Sequence, residues 1–427
     1  MRKQIVLTLF ESQVIRNLLV NNQGKMIINL VKLYNLTILT NSKEYKNLKS
    51  LLKTLKILDL KIEVVDPIDQ SLLYKILAVF ARNLNSSPSN KWSRHRNYEL
   101  GNYGLINLVV RILINRLFAR HYFSHKILRY VMKFIIYSKD SRFDKILKNC
   151  EVVILTSVTN FQWDVPIGQI ASRYGKKIIA VPRSWDNYTS HGALRLTPSR
   201  IFSFSSGMTK YLINYHFIDQ SKIVEVRNPA YDNRSYVSQN SVFERVENRK
   251  ILYACMGSFL FEQEASFINE LSQMLCKLGF NLEILKHPKF DTPGLIKQKN
   301  TVIPYSNHSS ADLLQAHLSK YELILTAGSS IALDCVNYDL EVVCIFIETI
   351  PIHYWRSVKR YTDHVEHFSD FLKENNVKVF MEFDSFAKEL QIPKNISSEA
   401  NKALNVDFKG HASIYEQLLK TISDIMT

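Results

Sequence analysis

Three short segments carry the side chains best suited to chemistry. In LILTAGSSIALDC (323–335) a strand-like apolar run ends at Thr326, Gly328 allows a tight turn, and Ser329 and Ser330 stand where a helix would begin. Free backbone N–H groups at a helix start, with two hydroxyls beside them, suit a phosphate or a carboxylate. Plain N-capping by serine would give the same pattern. In LEILKHP (282–288) the His287-Pro288 pair follows a strand, which puts the imidazole at the rim where that strand ends, with Lys286 beside it to neutralise an anion. Gly257, just past KILYAC (250–255), is placed with these anion-binding candidates. The third segment, IIAVPRSWDNYTSHG (178–192), runs from a strand into a loop dense in Arg183, Ser184, Asp186, Asn187, Thr189, Ser190 and His191. Trp185 suits stacking on a sugar or base, and Asp186 suits taking a proton or orienting a hydroxyl; Asx hydrogen bonds that merely close the loop are the alternative.

Transfer to a hydroxyl needs a base, and three carboxylates qualify: Asp186, Glu11 in FES beyond the first strand, and Asp164 in FQWDVPIG. Glu11 could equally complement a helix dipole. The sequence does not choose among the three.

These residues need elements to hold them. QIVLTLF (4–10), LTIL (36–39) and KIEVV (61–65) read as strands separated by helical stretches, the mark of a parallel α/β sheet. The rhythm breaks at 71–139, where twelve Lys or Arg face a single acid, Glu99, and where helical periodicity sets Arg116/Arg120 and Arg129/Lys133 four apart among large apolar residues. Such rows fit amphipathic helices at a membrane interface, or a helical insertion packed on its own domain with its charges solvated. The alternation resumes with EVVILT (151–156), KKIIAV (176–181), RIFSF (200–204) and KIVEV (222–226). A polar stretch, 228–249, reads as a linker, after which KILYAC, LEILK, YELILT and EVVCIF alternate with helices and HASIYEQLLKTISDIM closes the chain as a helix. The expected architecture is α/β, with two doubly wound Rossmann-like domains at 1–230 and 250–409, a basic helical insertion in the first at about 71–139, and a terminal helix at 410–427.

Composition narrows the partners. Of 427 residues, 55 are Lys or Arg and 39 Asp or Glu, a net charge of +16. Residues 1–230 hold 35 basic and 14 acidic side chains and the remainder 20 and 25, so the halves carry +21 and −5 and the first faces something anionic. Five cysteines without a CxxC pair argue against a disulfide scaffold and suggest a reducing compartment. The N-terminus lacks a signal-like apolar stretch and no run reaches the length of a membrane span, so the expected location is the cytoplasm, peripheral at the inner membrane face. No GxGxxG follows a strand, and GxxxxGK[ST], HExxH and GxSxG are absent. That disfavours dinucleotide, P-loop, metalloprotease and serine hydrolase readings. No metal is expected.

SWDNYTSHG through SRIFSFSSGMTKYLINYHFIDQSKIVEVRNPAYD resembles bacterial glycosyltransferases of the GT-B fold, with Ser184, Trp185, Asp186, Asn187, Gly192, Pro229 and Asp232 matching; His191 replaces the usual Lys, and Asn228 stands where a Gly often does. QVIRNLL, with Arg16 and Asn17, is similar to the opening of such enzymes. The His-Pro and Ser-Ser elements resemble donor-site motifs of sialyltransferases, Kdo transferases and CDP-glycerol glycerophosphotransferases. The resemblance implies that Lys286, His287, Gly257, Gly328, Ser329 and Ser330 bind a nucleotide-activated donor, and that Arg16, Asn17, Arg183, Trp185 and Asn187 lie on the side of a lipid-linked or polysaccharide acceptor. It further implies no cofactor beyond the donor. A CDP-glycerol-type polyol-phosphate transferase, a sugar-nucleotide 2-epimerase and a basic nucleic-acid-binding protein are the competing readings. The last lacks any RRM, KH or helix-turn-helix signature, so no specific nucleic acid is expected.

Overall fold

The computed structural model describes residues 2–20, 24–57, 60–66, 71–136, 141–159, 162–231, 249–257, 259–287, 302–303, 311–338, 340–391 and 412–426. The chain forms two compact units, Met1–Asn233 with Asp407–Thr427, and Arg234–Val406. Most of the 228–249 stretch expected to be a linker lies outside the described residues, as does Asp232.

The first unit is built on seven parallel strands, β1 (Gln4–Thr8), β2 (Asn35–Thr40), β3 (Lys61–Val64), β4 (Val152–Leu155), β5 (Lys177–Ala180), β6 (Arg200–Ser203) and β7 (Ile223–Glu225). Their order is β3-β2-β1-β4-β5-β6-β7. A parallel sheet covered by helices on both faces needs continuous apolar runs rather than alternation, and Ile5, Val6, Leu7, Val152, Val153 and Leu155 are all fully buried. The strand order reverses between β1 and β4, which pair in parallel with Leu7 opposite Ile154. In doubly wound sheets that reversal opens a crevice outside the carboxyl ends of the strands. The C-terminal helix Ile414–Met426 belongs to this unit, burying Ile414, Leu418 and Ile422 in its core.

Between β3 and β4 the basic insertion contributes the helices Leu72–Asn83, Pro88–Glu99, Leu105–Phe118 and Tyr122–Ile135. The second is started by Ser87, whose hydroxyl accepts from Asn90 N, and by Pro88, whose fixed φ suits the first helical position. The insertion is packed on its own domain, because its polar groups serve the neighbouring loop. Ser87 Oγ donates to Thr189 O (2.6 Å), Asn85 Nδ2 to Tyr188 O (3.0 Å), and Ala193 N to Ala81 O (2.9 Å). Arg129 departs from the expected solvated or lipid-facing cationic row. It is buried, with Nε donating to Leu194 O at 3.1 Å and Nη2 to His216 O. Arg94 and Arg96 are buried as well. The outer faces differ: Leu72, Ile106, Leu117, Phe123 and Tyr130 are exposed, interleaved with exposed Lys75, Arg116, Arg120 and Lys126. Among the described residues no helix is long and apolar enough to cross a membrane.

The second unit holds six parallel strands, β8 (Lys250–Ala254), β9 (Asn281–Leu285), β10 (Val302–Ile303), β11 (Leu323–Thr326), β12 (Val342–Ile345) and β13 (Lys378–Phe380), in the order β10-β9-β8-β11-β12-β13. This is the doubly wound order again, reversing between β8 and β11. The sequence reading misses β10 and β13, two and three residues long, because so few positions display no period.

Candidate functional site

In the first unit the loops after β1, β4 and β5, three adjacent strands, bring Glu11, Ser157, Asp164, Arg183, Asp186 and His191 into one network at the carboxyl edge of the sheet. Glu11 occupies the N-cap position of a four-residue helix, yet its side chain makes no cap bond. Instead Oε2 pairs with Arg183 Nη1 at 2.7 Å and Oε1 accepts from Ser157 Oγ at 2.9 Å. The dipole-compensating role is therefore not its main contact. Arg183 is about a fifth exposed in its side chain. Burial works against its charge, but Glu11 first and then Asp186 and Asp164 outweigh that and raise its pKa.

Asp164 opens the helix Asp164–Arg173 and is fully buried. Its Oδ1 accepts from Thr8 Oγ1 (2.5 Å), Thr156 N (3.0 Å) and Ser157 N (3.2 Å), while Oδ2, equally buried, has no hydrogen-bond partner. Burial lifts its pKa to about 7; the three donors oppose that and the charge of Glu11 adds to it. A carboxyl so placed holds a proton near neutrality but is closed off from a substrate hydroxyl.

The 183–192 loop is organised by Asn187, which is fully buried. Its Oδ1 accepts from Arg183 N (2.8 Å) and Ser184 N (3.3 Å), and its Nδ2 donates to Ser184 Oγ (3.0 Å). An amide committed to its own loop in this way shapes the loop that carries Arg183 and Asp186. Trp185 is half-buried, its ring packed against the core, so the open stacking platform expected there is at most partial. Asp186 accepts from Ser184 Oγ through Oδ1, and its Oδ2 lies 3.5 Å from His191 Nε2, with both side chains about one-third exposed. Arg183 Nη2 stands 3.5 Å from the same nitrogen. Arg16 and Asn17 lie on a π-helical turn, Arg16–Val20, where Arg16 Nε donates to Asn17 Oδ1 (3.2 Å) and Asn17 is buried.

Gly192 explains how the loop stays in place. Its φ of +82° is left-handed, and a Cβ there would lie 2.5 Å from Arg82 Cα in the first insertion helix. His216 clamps the loop from behind, with Nδ1 accepting from Leu194 N (3.2 Å) and Nε2 2.7 Å from Tyr188 O.

In the second unit the anion candidates also converge. Ala254 at the end of β8 is registered with Leu285 of β9 and Thr326 of β11, so the loops bearing Gly257, Lys286-His287 and Gly328-Ser329-Ser330 leave the sheet at one level. Lys286, His287 and Ser329 are half-buried and Ser330 exposed. The helix begins only at Ile331, and Ser330 caps it without a side-chain bond; Ile331 N reaches Ser329 Oγ at 3.4 Å. Gly328, at φ +104°, lets the turn pass Tyr361, whose ring would stand 2.8 Å from a Cβ. The backbone amide of Gly257 is already engaged. Its N–H donates to Glu264 Oε2 (2.8 Å), beside Met256 N to Oε1 (2.6 Å), so this amide is not open to a phosphate.

Sequence reasoning missed Glu264, Ser157 and Thr8. The usable signal was positional: polar residues at or just past parallel strand ends, and an acid in a helix's first turn. Among the described residues no group of three His, Cys, Asp or Glu side chains is placed to hold a metal ion.

No protein-family model matches the chain, and no curated protein matches it. Solved structures do. A protein assigned as a UDP-N-acetylglucosamine 2-epimerase from Listeria monocytogenes superposes with a TM-score of 0.55 at 10% identity, over 100% of this chain and 97% of that one. The S. aureus MnaA structure with UDP gives 0.52 at 9%, covering 100% and 97%. The glycosyltransferase SnogD from Streptomyces nogalater gives 0.51 at 9%, covering 99% of each. The fold is GT-B. Within a GT-B chain the two clusters described above lie where doubly wound sheets hold ligands, outside the carboxyl ends of their strands.

Proposed function

We propose that this GT-B chain is a glycosyltransferase that moves a sugar from a nucleotide-activated donor to a lipid-linked or polysaccharide acceptor in surface polysaccharide synthesis. The observation that carries the proposal is the Asp186–His191 pair, a partly exposed carboxylate and imidazole 3.5 Å apart at the carboxyl edge of the first sheet. An acceptor hydroxyl must lose its proton as it attacks the anomeric carbon, and an imidazole backed by a carboxylate is suited to take it. The other two carboxylates are otherwise engaged, Asp164 by burial and Glu11 by Arg183 and Ser157. Glu11 and Arg183 then position the loop on which the pair sits. In the second unit Lys286, His287 and Ser329 hold the donor phosphate and stabilise the charge it gains on leaving. The exposed apolar and cationic faces of the insertion helices support an acceptor presented at an anionic lipid surface.

The similarity to a 2-epimerase structure favours one second reading, inversion at C2 of a nucleotide sugar. A thermal-shift panel of CMP, CDP, UDP, GDP and dTDP identifies the nucleotide, since a ligand selective for the native state raises the melting temperature. Incubation with the matching nucleotide sugars, followed by NMR, then separates the reactions. Release of the nucleotide with the sugar on an acceptor supports transfer, and a C2 epimer still attached to its nucleotide replaces it with epimerisation.

A further inference from the structure

A third cluster of charge lies inside the insertion of the first unit, on residues distinct from those of the two strand-edge sites. A cavity of about 250 Å³ is lined by Arg82, Asn90, Ser93, Arg94, Tyr103 and Arg111, among others, drawn from the first three insertion helices and the turn between the second and third. None of its lining residues is acidic. Arg94 is 7% exposed, and its Nε and Nη1 find no hydrogen-bond partner; Nε of Arg111 is in the same state. Buried guanidinium donors without acceptors are costly, and natural structures nearly always supply a partner. Burial first lowers the pKa of Arg94 and of Arg111; Tyr103 opposes that, and a neighbouring arginine, Arg111 for the one and Arg82 for the other, adds repulsion.

The wall is nonetheless held in place. Tyr103 Oη donates to the backbone carbonyl of Arg94, and the Arg111 guanidinium lies over the Tyr103 ring at 4.5 Å. Asn90 Nδ2 donates to Arg82 O (3.0 Å) and Asn85 O (2.8 Å), tying the second helix to the end of the first. A cage of fixed donors with no counter-charge calls for an anion. Guanidinium forks match the several oxygens of a phosphate, and the volume falls below the roughly 300 Å³ at which pockets for drug-sized ligands begin.

We propose that Arg82, Arg94 and Arg111 form a binding site for a phosphate-bearing anion, separate from the candidate donor and acceptor residues. The phosphate is either a free anion or the headgroup of a lipid. The test is isothermal titration of the full chain with inorganic pyrophosphate, in wild type and in Arg82→Met, Arg94→Met and Arg111→Met, with circular dichroism to check folding. Expected is binding by wild type and at least a tenfold loss in Arg82→Met and Arg111→Met, with nucleotide affinity unchanged. Arg82 lies on the exposed side of the cavity, so its variant keeps the test valid if Arg94→Met does not fold. Absence of pyrophosphate binding to wild type, or equal binding by the folded variants, overturns the proposal. Vesicles containing phosphatidic acid then identify the source. If they compete with pyrophosphate, the ligand is a headgroup; if they do not, it is a free anion, and both results uphold the phosphate assignment. This inference does not depend on the transferase reading, whose failure would appear in the nucleotide panel instead.

Discussion

Arg183 Nη1 lies 2.7 Å from Glu11 Oε2 across a sequence separation of 172 residues. This pair joins the loop after β5 to the loop after β1, with Ser157 of the intervening β4 loop bridging Glu11 and Asp164 through its hydroxyl and its N–H. The three loops of the candidate acceptor side are thus one hydrogen-bonded body, and disturbing one member is expected to disturb the others.

If Asp186 and His191 handle the acceptor proton, Asp186→Asn and His191→Gln each lower turnover by roughly 100- to 10,000-fold with donor affinity nearly intact. Glu11→Gln breaks the ion pair with Arg183. It is expected to lower the melting temperature and reduce turnover to a smaller degree. Single-turnover rates beside melting curves separate the two behaviours, and near-normal rates in both Asp186→Asn and His191→Gln would remove the pair from the chemistry.

The pH dependence of stability carries a signature of Asp164. Burial raises its pKa from 3.8 to about 7, so the folded state binds the proton that the unfolded state has released. Stability therefore falls as pH rises from about 4 to about 7, with a limiting slope of about 1.4 kcal/mol per pH unit. His216 acts in the opposite sense. Burial lowers its pKa from 6.5 to about 3, so the stability of its neutral form is present above pH 6.5 and is lost as pH falls toward 3. Denaturant titrations from pH 4 to 8 should show a steeper rise of stability with pH in Asp164→Asn than in wild type; parallel curves would mean that Asp164 is ionised in the fold.

Gly192→Ala tests the docking of the loop on the insertion. A Cβ 2.5 Å from Arg82 Cα, at a φ of +82°, can be accommodated only if backbone moves. A loss of about 1–3 kcal/mol of stability is expected, with turnover falling as the Asp186–His191 pair is displaced. Wild-type melting and turnover would show that the loop is not set by this contact.

Glu264 is expected to matter for the candidate donor side by holding its backbone rather than by binding a ligand. It gathers the N–H groups of Met256 and Gly257 and the hydroxyl of Tyr253. Glu264→Ala leaves those groups buried and unpaired, at about 1–3 kcal/mol each, and should lower the melting temperature and nucleotide affinity together. His287→Ala and Ser329→Ala should lower nucleotide affinity alone. Isothermal titration and melting curves measured on the same samples decide this.

For the insertion, sedimentation with anionic vesicles and not with neutral ones is expected, weakening as salt rises at about 1 kcal/mol per basic residue engaged. Equal sedimentation with both vesicle types, or with neither, would remove the lipid surface from the proposed function.

The alternation of apolar runs with helical periods by itself determined two doubly wound units and their long strands, because a parallel sheet buried on both faces leaves nearly every strand position apolar, as in VVIL of β4. It also placed Asp186, His287 and Ser329 just past strand ends, since that position depends only on where a run stops. Tertiary structure alone decided which of those loops meet. Strand order put β4 between β1 and β5, so that their loops meet, giving Glu11 its partner Arg183, burying Asp164 and turning Asn187 inward. The charge count gave the insertion its sign, but only the packing divided its arginines into the buried Arg94 and Arg129 and the exposed Arg116 and Arg120. Burial depends on neighbours distant in sequence, and so do the desolvation and ion pairing that set the chemistry of each charged group.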